Sequence, residues 1–299
     1  MKDNLGVLIV TYNPTMDVFK IINSSKCYTK ATVVIDNGSR ESDVLKKLRE
    51  YHLENNRFYF IELEKNMGLG FAQNYGLKKL SELNIKYISN FDQDSEVESD
   101  FFKNAIEEYK TANNIFKHLG ILVPIYFDKK EKKISSFTVK EGKKYKKTFI
   151  NQAYQEVAFA NASGMIFKLD LITEVGGMRE DFFIDQIDVE FCKRVSSLGF
   201  SIVASKQLKI THTVGEGEET RIGRFSIKHS NHNTIRRYYI ARNSVITRKL
   251  YKSDTAFTKL IDKRLLKTFI VCFIEKDRFS KIYSIIKGVR DGLSYKNES

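Results

Sequence analysis

A chain of 299 residues with 42% hydrophobic residues can bury a sizeable core. With 2 Pro, no Gly/Ser linker and no internal repeat, it reads as one domain with a helical tail, not a string of modules. Its three cysteines, Cys27, Cys192 and Cys272, stand in apolar contexts without paired spacing, which excludes a disulfide frame and a zinc site and reads as core thiols of a reducing compartment.

The net charge of +13 is unevenly spread: residues 1–127 carry −1 and 151–205 carry −4, whereas 128–150 carry +6, 206–252 +8 and 253–299 +4. A late basic excess calls for an anionic ligand, an anionic membrane surface or nucleic acid. No nucleic-acid motif accompanies it, and the acidic residues cluster where the chemistry is expected. No segment reaches the ~18 to 20 apolar residues of a membrane span, and no apolar stretch of signal-peptide type follows Met1-Lys-Asp-Asn. The reading is cytoplasmic.

In chain order, Leu5 to Thr11 is a continuous apolar run of the kind a parallel strand buried on both faces shows. A helix over about 15–26 follows, then strands at Ala31 to Ile35, Phe58 to Leu63 and Tyr87 to Phe91, with helices over 43–53 and 69–83 between them. Strands alternating with helices imply right-handed crossovers and a mostly parallel sheet. Ligands in such sheets bind beyond the carboxyl ends of the strands.

Four polar clusters stand at those ends: Thr11-Tyr12-Asn13-Pro14, Asp36-Asn-Gly-Ser, Asn66-Met-Gly-Leu-Gly and Asp92-Gln93-Asp94-Ser95. Any one is ordinary turn chemistry; four in succession make a rim. Gly68 and Gly70, ahead of a helix, allow backbone to approach a phosphate or sugar. Gln73 stands where a dinucleotide fingerprint needs glycine. Asp92 and Asp94, one residue apart on a turn leaving a strand, can converge on a hard cation such as Mg²⁺ or Mn²⁺.

A helix near 99–116 and a strand from Leu119 to Phe127 come next. The Lys-rich stretch 128–148 reads as an exposed hairpin or loop. Asn161-Ala-Ser-Gly precedes an apolar run and suits close packing beside a ligand. Then Gly176 to Phe191 sets Asp185, Asp188 and Glu190 in an apolar frame, with Asp188 at the start of a helix ending near Gly199. Asp188 either caps that helix or, beside a metal-diphosphate rim, serves as general base, a role apolar neighbours favour by raising a carboxylate's pKa.

His212 follows a strand over 201–210. It is either structural or a third metal ligand. The helix opening near Arg236 and running to about Leu250 carries Arg237, Tyr238 and Arg242, either a solvated basic face or a phosphate-binding one. Two amphipathic helices close the chain, about 256–274 and 278–293; the second has an apolar stripe of Phe279, Ile282, Tyr283, Ile286, Val289 and Leu293, flanked by Lys281, Lys287 and Arg290. They either pack on the domain or lie in a membrane interface.

Taken in order and spacing, Val10-Thr-Tyr-Asn-Pro, Asp36-Asn-Gly-Ser, Asn66-x-Gly-x-Gly-x-Ala-x-Asn-x-Gly, Phe91-Asp-Gln-Asp-Ser, Asn161-Ala-Ser-Gly, Phe183-Ile-Asp-x-x-Asp-x-Glu-Phe, His212-x-x-Gly and Tyr238-Tyr-x-x-Arg-Asn resemble glycosyltransferase family 2 over nearly the whole chain, and within it the bacterial rhamnosyltransferase branch. The resemblance implies an α/β GT-A fold over residues 1–235, Rossmann-like with a mostly parallel central sheet, and C-terminal amphipathic helices over 236–299. It implies an inverting enzyme at the inner face of the membrane that uses a nucleotide-sugar, dTDP-rhamnose first, and a saccharide or lipid-linked acceptor in cell-surface polysaccharide synthesis. A UDP-sugar donor, as in galactofuranosyltransferases, and a non-catalytic nucleotide-sugar-binding module are its alternatives.

The resemblance also carries roles. Thr11 and Asp36 would meet the nucleoside, with Asp36 on the base, and Asn66 and Gly68 would lie near the donor sugar and diphosphate; Tyr12, Asn13, Asp92 and Gln93 would join them in binding the donor or its nucleotide. Asp92, Asp94 and His212 would hold Mg²⁺ or Mn²⁺, and Asp188 would be the base. Asp185, Arg237, Arg242 and Asn243 would meet the acceptor or a diphosphate.

Overall fold

The structure, a computed structural model, describes residues 4–128, 133–212, 218–222, 225–229 and 231–296, with backbone alone at His212 and in the strands between 218 and 229. The chain divides into two compact units. One holds Met1–Val139, Lys147–Phe183 and Asp188–Thr213; the other holds Lys140–Lys146, Ile184–Ile187 and Val214–Ser299.

The first unit opens with β1 (Leu5–Thr11), α1 (Val18–Ser25), β2 (Ala31–Asp36), α2 (Asp43–Glu54), β3 (Phe58–Glu62), α3 (Leu69–Glu82) and β4 (Tyr87–Asp92). These are the expected elements with ends moved by a few residues. β5 (Glu96–Val97), α4 (Phe101–Ile115) and β6 (Leu119–Asp128) follow. After them come β7 (Lys133–Ile134), β8 (Phe137–Glu141) and β9 (Lys144–Thr148), of which Lys140–Lys146 count with the second unit, then β10 (Tyr154–Glu156), β11 (Ile166–Lys168), α5 (Asp170–Val175), α6 (Ile187–Ser197), whose first residue also counts with the second unit, and β12 (Ser201–His212).

The main sheet runs β10-β12-β6-β11-β4-β1-β2-β3. β3, β2, β1 and β4 pair in parallel, as do β6 and β12, while β11 runs antiparallel between β4 and β6. β2 is buried along its whole length and β1 nearly so, which is why both read as unbroken apolar runs. The short β5, β7 and β10 have no sequence signature, because strands of two or three residues show no period.

Cys192 and Cys272 are buried, but Cys27, expected in the core, is exposed. It follows the end of α1, whose inward face is already supplied by Val18, Ile21, Ile22 and Ser25.

The second unit contains a hairpin, β13 (Glu218–Ile222) with β14 (Phe225–His229), and the helices α7 (Thr234–Leu250), α8 (Thr255–Cys272) and α9 (Arg278–Ser294). Ala241, Cys272 and Ile285 form its apolar centre, with Leu265, Phe269, Ile282 and Val289 packed on it. α9 lies close on α7 because it presents glycine: a Cβ at Gly288 would fall 2.4 Å from the Tyr238 carbonyl oxygen, and one at Gly292 2.7 Å from that of Arg242.

Beneath the helices, Glu275 accepts from Arg237 and Lys281, and all three are buried. Lys281 therefore does not flank the stripe of α9, as its position in sequence suggested; it also bonds Asn231. Burial, with Arg236 and Arg237 nearby, pushes His232 down to about 4 despite the opposing pull of Asp185 and Glu275. Among the described residues no helix is long and apolar enough to cross a membrane.

Candidate active site

The rim follows from register. Thr11 stands opposite Asp36 across β1 and β2, Asp36 opposite Glu62 across β2 and β3, and Asp92 opposite Val10 across β1 and β4. Parallel pairing thus brings the loops that follow four strands to one edge of the sheet, and hydrogen bonds tie them together.

The Thr11 hydroxyl donates to Asp36 Oδ1 at 2.9 Å, and Ser39 donates to the same carboxylate through its backbone N–H (2.8 Å) and its hydroxyl (2.5 Å). Asn13 N–H donates to Ser39 Oγ at 2.7 Å, and Asn13 Oδ1 accepts from Arg40 N–H. Asp36 is buried and its carboxylate accepts these three hydrogen bonds, which fix its orientation; a carboxylate has further lone pairs with which to accept. Tyr12 and Gln93 exchange two bonds, Tyr12 N–H to Gln93 Oε1 at 2.8 Å and Gln93 Nε2 to Tyr12 O at 3.4 Å. Asn37 donates to Asn66 Oδ1, which also accepts from Gly68 N–H.

Gly68 (φ 93) and Gly70 serve a different neighbour from the one expected. A Cβ at Gly68 would sit 2.8 Å from Phe183 Cα, and one at Gly70 2.4 Å from the Arg179 carbonyl oxygen. Leu69 N–H donates to Phe183 O at 2.6 Å, and Asn74 bonds Met178 through both its amide atoms. These glycines admit the backbone of residues 179–183, so the close approach is internal to the protein.

Asp92 is half-buried at the end of β4, Gln93 beside it is half-buried, and Asp94 is exposed. The turn closes with Ser95 N–H donating to Asp92 O. Behind it stands Ser163, a buried residue of the Asn161-Ala-Ser-Gly segment: its hydroxyl accepts from Asp92 N–H at 3.3 Å and bonds the Ser95 hydroxyl at 2.6 Å. Tyr126 donates toward the carbonyls of Asn161 (3.1 Å) and Ser163 (3.3 Å).

Burial holds the Tyr126 hydroxyl well above its ordinary pKa, and the Cys192 thiol, Asp188 and Asp92 push it further. Two carboxylates far apart in sequence therefore lie within electrostatic reach of one buried hydroxyl. Sequence reasoning assigned no role to Ser163 or Tyr126. The small-residue segment was a signal for the first; nothing local marked the second.

Asp188 is the second residue of α6, and its Oδ1 accepts from Val189 N–H at 2.8 Å. Glu190 is committed elsewhere, paired with Arg194 at 2.8 Å, whose guanidinium also donates to the carbonyls of Val175 and Gly177. β5 pairs with the end of β12 at Ile210–Val97 and Thr211–Glu96, which carries the His212 backbone toward the strand following the Asp92 turn. The His212 side chain lies outside the described residues. Among the described residues, no three His, Cys, Asp or Glu side chains gather as a metal site.

In the second unit, the residues expected at an acceptor or diphosphate are largely engaged. Arg237 is buried against Glu275. Asn243 is fully buried and donates to the carbonyls of Ile184 and Asp185. Asp185 is forked by Arg236, and Tyr238 donates to Asp291 at 2.8 Å. Arg242 donates to Asn243 Oδ1 and lies over the Tyr295 ring. Burial inside a helical bundle, with partners at hydrogen-bond distance, takes Arg237 and Asn243 out of a ligand's reach.

Residues 7–176, more than half of the chain, match the model of glycosyl transferase family 2. The chain belongs to that family. The transferase is 26% identical over 307 residues to the dTDP-rhamnosyl transferase RfbF of Shigella flexneri, covering 98% of this chain and 96% of that one. It is 20% identical over 258 residues to the low-salt glycan biosynthesis hexosyltransferase Agl10 of Haloferax volcanii, covering 84% and 79%.

In fold, the transferase resembles GalNAc-T7 with UDP, GalNAc and Mn²⁺, at TM-score 0.60 and 14% identity over 84% of this chain and 49% of that one, about half its length. It also resembles the mannosyltransferase PcManGT of Pyrobaculum calidifontis in complex with GDP-Man and Mn²⁺, at TM-score 0.56 and 13% identity over 99% and 77%. The transferase has the GT-A fold expected of it, with helices at its carboxyl terminus.

Proposed function

We propose that this transferase moves L-rhamnose from dTDP-L-rhamnose, with inversion, onto a saccharide or lipid-linked saccharide in bacterial cell-surface polysaccharide synthesis. The observation that carries the proposal is the similarity to a dTDP-rhamnosyl transferase over nearly the full length of both chains. The rim supports it: Asp36, held by Thr11 and Ser39, is the candidate reader of the base, with Tyr12 and Asn13 beside it, and Asn66 and Gln93 face the donor. A hexosyltransferase among the relatives keeps transfer of another hexose as the alternative, with a UDP-sugar as the donor to test for it.

Asp92 and Asp94 fit a hard divalent cation, Mg²⁺ or Mn²⁺. Both offer carboxylate oxygens, and the turn that carries them is pinned by Ser163. Such an ion, when bound, neutralises charge on the departing diphosphate. His212 is the candidate third ligand. Asp188 accepts the proton of an acceptor hydroxyl as that oxygen bonds to the anomeric carbon, the bond from that carbon to the phosphate oxygen breaks, and dTDP leaves with its electron pair.

Thermal unfolding with Mn²⁺ and a panel of dTDP, UDP, GDP and ADP tests the donor. A ligand at about a hundred times its dissociation constant adds roughly 2.7 kcal/mol, a shift of several degrees. The largest shift is expected with dTDP and is lost on adding chelator. A UDP preference changes the sugar, and no shift with any nucleotide rejects the transferase site.

The second unit supports work at a membrane surface. Phe273, at the end of α8, is 52% exposed, and Phe279 and Tyr283 of α9 are 76% and 69% exposed. Lys276, Arg278 and Lys287 stand exposed among them. Exposed aromatic groups between cations suit an anionic bilayer. Sedimentation with phosphatidylglycerol vesicles is expected, and the Phe273→Glu/Phe279→Glu variant is expected to lose it; equal sedimentation of the two removes this surface from the proposal.

A further inference from the structure

The segment just before α6 has a backbone that its residues do not favour. Asp185 and Gln186 both have φ 65, and Phe183 before them has φ 60. A side chain makes the left-handed region unfavourable, and glutamine has none of the local hydrogen bonding that lets Asp or Asn tolerate it. Such a conformation persists where its surroundings hold it.

Here the holding groups come from one helix of the same unit. Asn243 of α7 gives one amide nitrogen to two successive carbonyls, Ile184 O at 2.9 Å and Asp185 O at 3.1 Å. Seven residues earlier, two turns along the same face, Arg236 forks onto the Asp185 carboxylate through Nε (3.0 Å) and Nη2 (3.0 Å). Ser244 Oγ accepts from Gln186 Nε2 at 3.4 Å. Residues 184, 185 and 186 are therefore each gripped by α7. The next residue, Ile187, opens α6, and Asp188 is the one after it.

We infer that Asn243 is a positioning residue for the transfer step: it holds the left-handed backbone at Asp185 and Gln186 and so sets where the first turn of α6 presents Asp188. The inference rests on the reading of Asp188 as the base. Arg236 supports the same segment from the side-chain end. A full clamp on the loop also accounts for an asparagine buried in a helix with no apolar role.

The test uses the full chain and four variants: Asn243→Ala, Gln186→Gly, the two combined, and Asp188→Asn. Small displacements of a reacting group cost up to about 10²-fold, so Asn243→Ala is expected to lower kcat by about tenfold or more with the donor KM and nucleotide affinity unchanged. Gln186→Gly alone is expected to stay near the parent. In the combined variant glycine takes φ 65 without support, so a substantial part of the lost kcat is expected to return; a merely structural contact would not be rescued this way.

An unchanged kcat in Asn243→Ala, a rise in nucleotide Kd instead, or failure of Gln186→Gly to rescue overturns the inference. Should Asn243→Ala not fold, Arg236→Met paired with Asp185→Gly asks the same question at the neighbouring residue, with the same outcomes. Full transfer by Asp188→Asn rejects the base itself, whatever the other variants do. Loss in Asp188→Asn without loss in Asn243→Ala rejects the clamp alone.

Discussion

Replacing Asp188 with asparagine is expected to lower the rate of transfer by about 10² to 10⁴, the usual range for removing a general base, while leaving nucleotide binding intact. The side chain keeps its size and can still accept from Val189 N–H, so the helix start is preserved and the loss is confined to proton acceptance. Single-turnover transfer and nucleotide titration, run on the same preparation, separate these. Retained transfer rejects the assignment. Asp185 is the weaker candidate because Arg236 already forks its carboxylate, and Glu190 is weaker still because it is buried against Arg194. Neutralising a carboxylate that is already paired would disturb structure before chemistry.

Replacing Glu275 with glutamine is expected to destabilise the second unit by about 3–5 kcal/mol, since removing one partner of a buried ionic group leaves the rest uncompensated. Glu275 has no exposed side-chain surface, and Arg237 and Lys281 are almost as deeply buried. The variant leaves two cations in the bundle with a neutral amide between them. Thermal unfolding of the full chain reads the effect as a drop of about ten degrees or more. Replacing all three residues by apolar ones of similar volume is expected to restore most of the loss, because the desolvation penalty disappears together with the attraction that offset it. A drop of one or two degrees in Glu275→Gln would mean that water reaches the cluster and screens it.

The sequence by itself determined the alternation of strands and helices and the edge of the sheet at which polar residues collect. Both follow from local rules. A strand buried on both faces must be apolar throughout, as β1 and β2 are, and parallel pairing then places the residues that end such strands together, as Thr11 and Asp36 are. The carboxyl-terminal helices were legible for a similar reason, since their apolar residues recur at helical spacing.

Tertiary structure alone decided which polar residues face inward. Arg237 read as a phosphate-binding candidate from its helix, and the resemblance carried Asn243 to an acceptor or diphosphate, because neither a helical period nor a motif can show a partner. Their partners, the carbonyls of Ile184 and Asp185 and the carboxylate of Glu275, lie 59, 58 and 38 residues away. Gly68 read as an approach for a ligand because a glycine announces that something comes close without saying what; the neighbour is Phe183. Ser163 had no role of its own in the sequence, although its small-residue segment stood out, because only the fold sets its hydroxyl between Asp92 and Ser95. The physical reason is common to all of these: burying a polar group is costly unless a partner meets it, and the partner is supplied by the fold, across separations no local pattern spans.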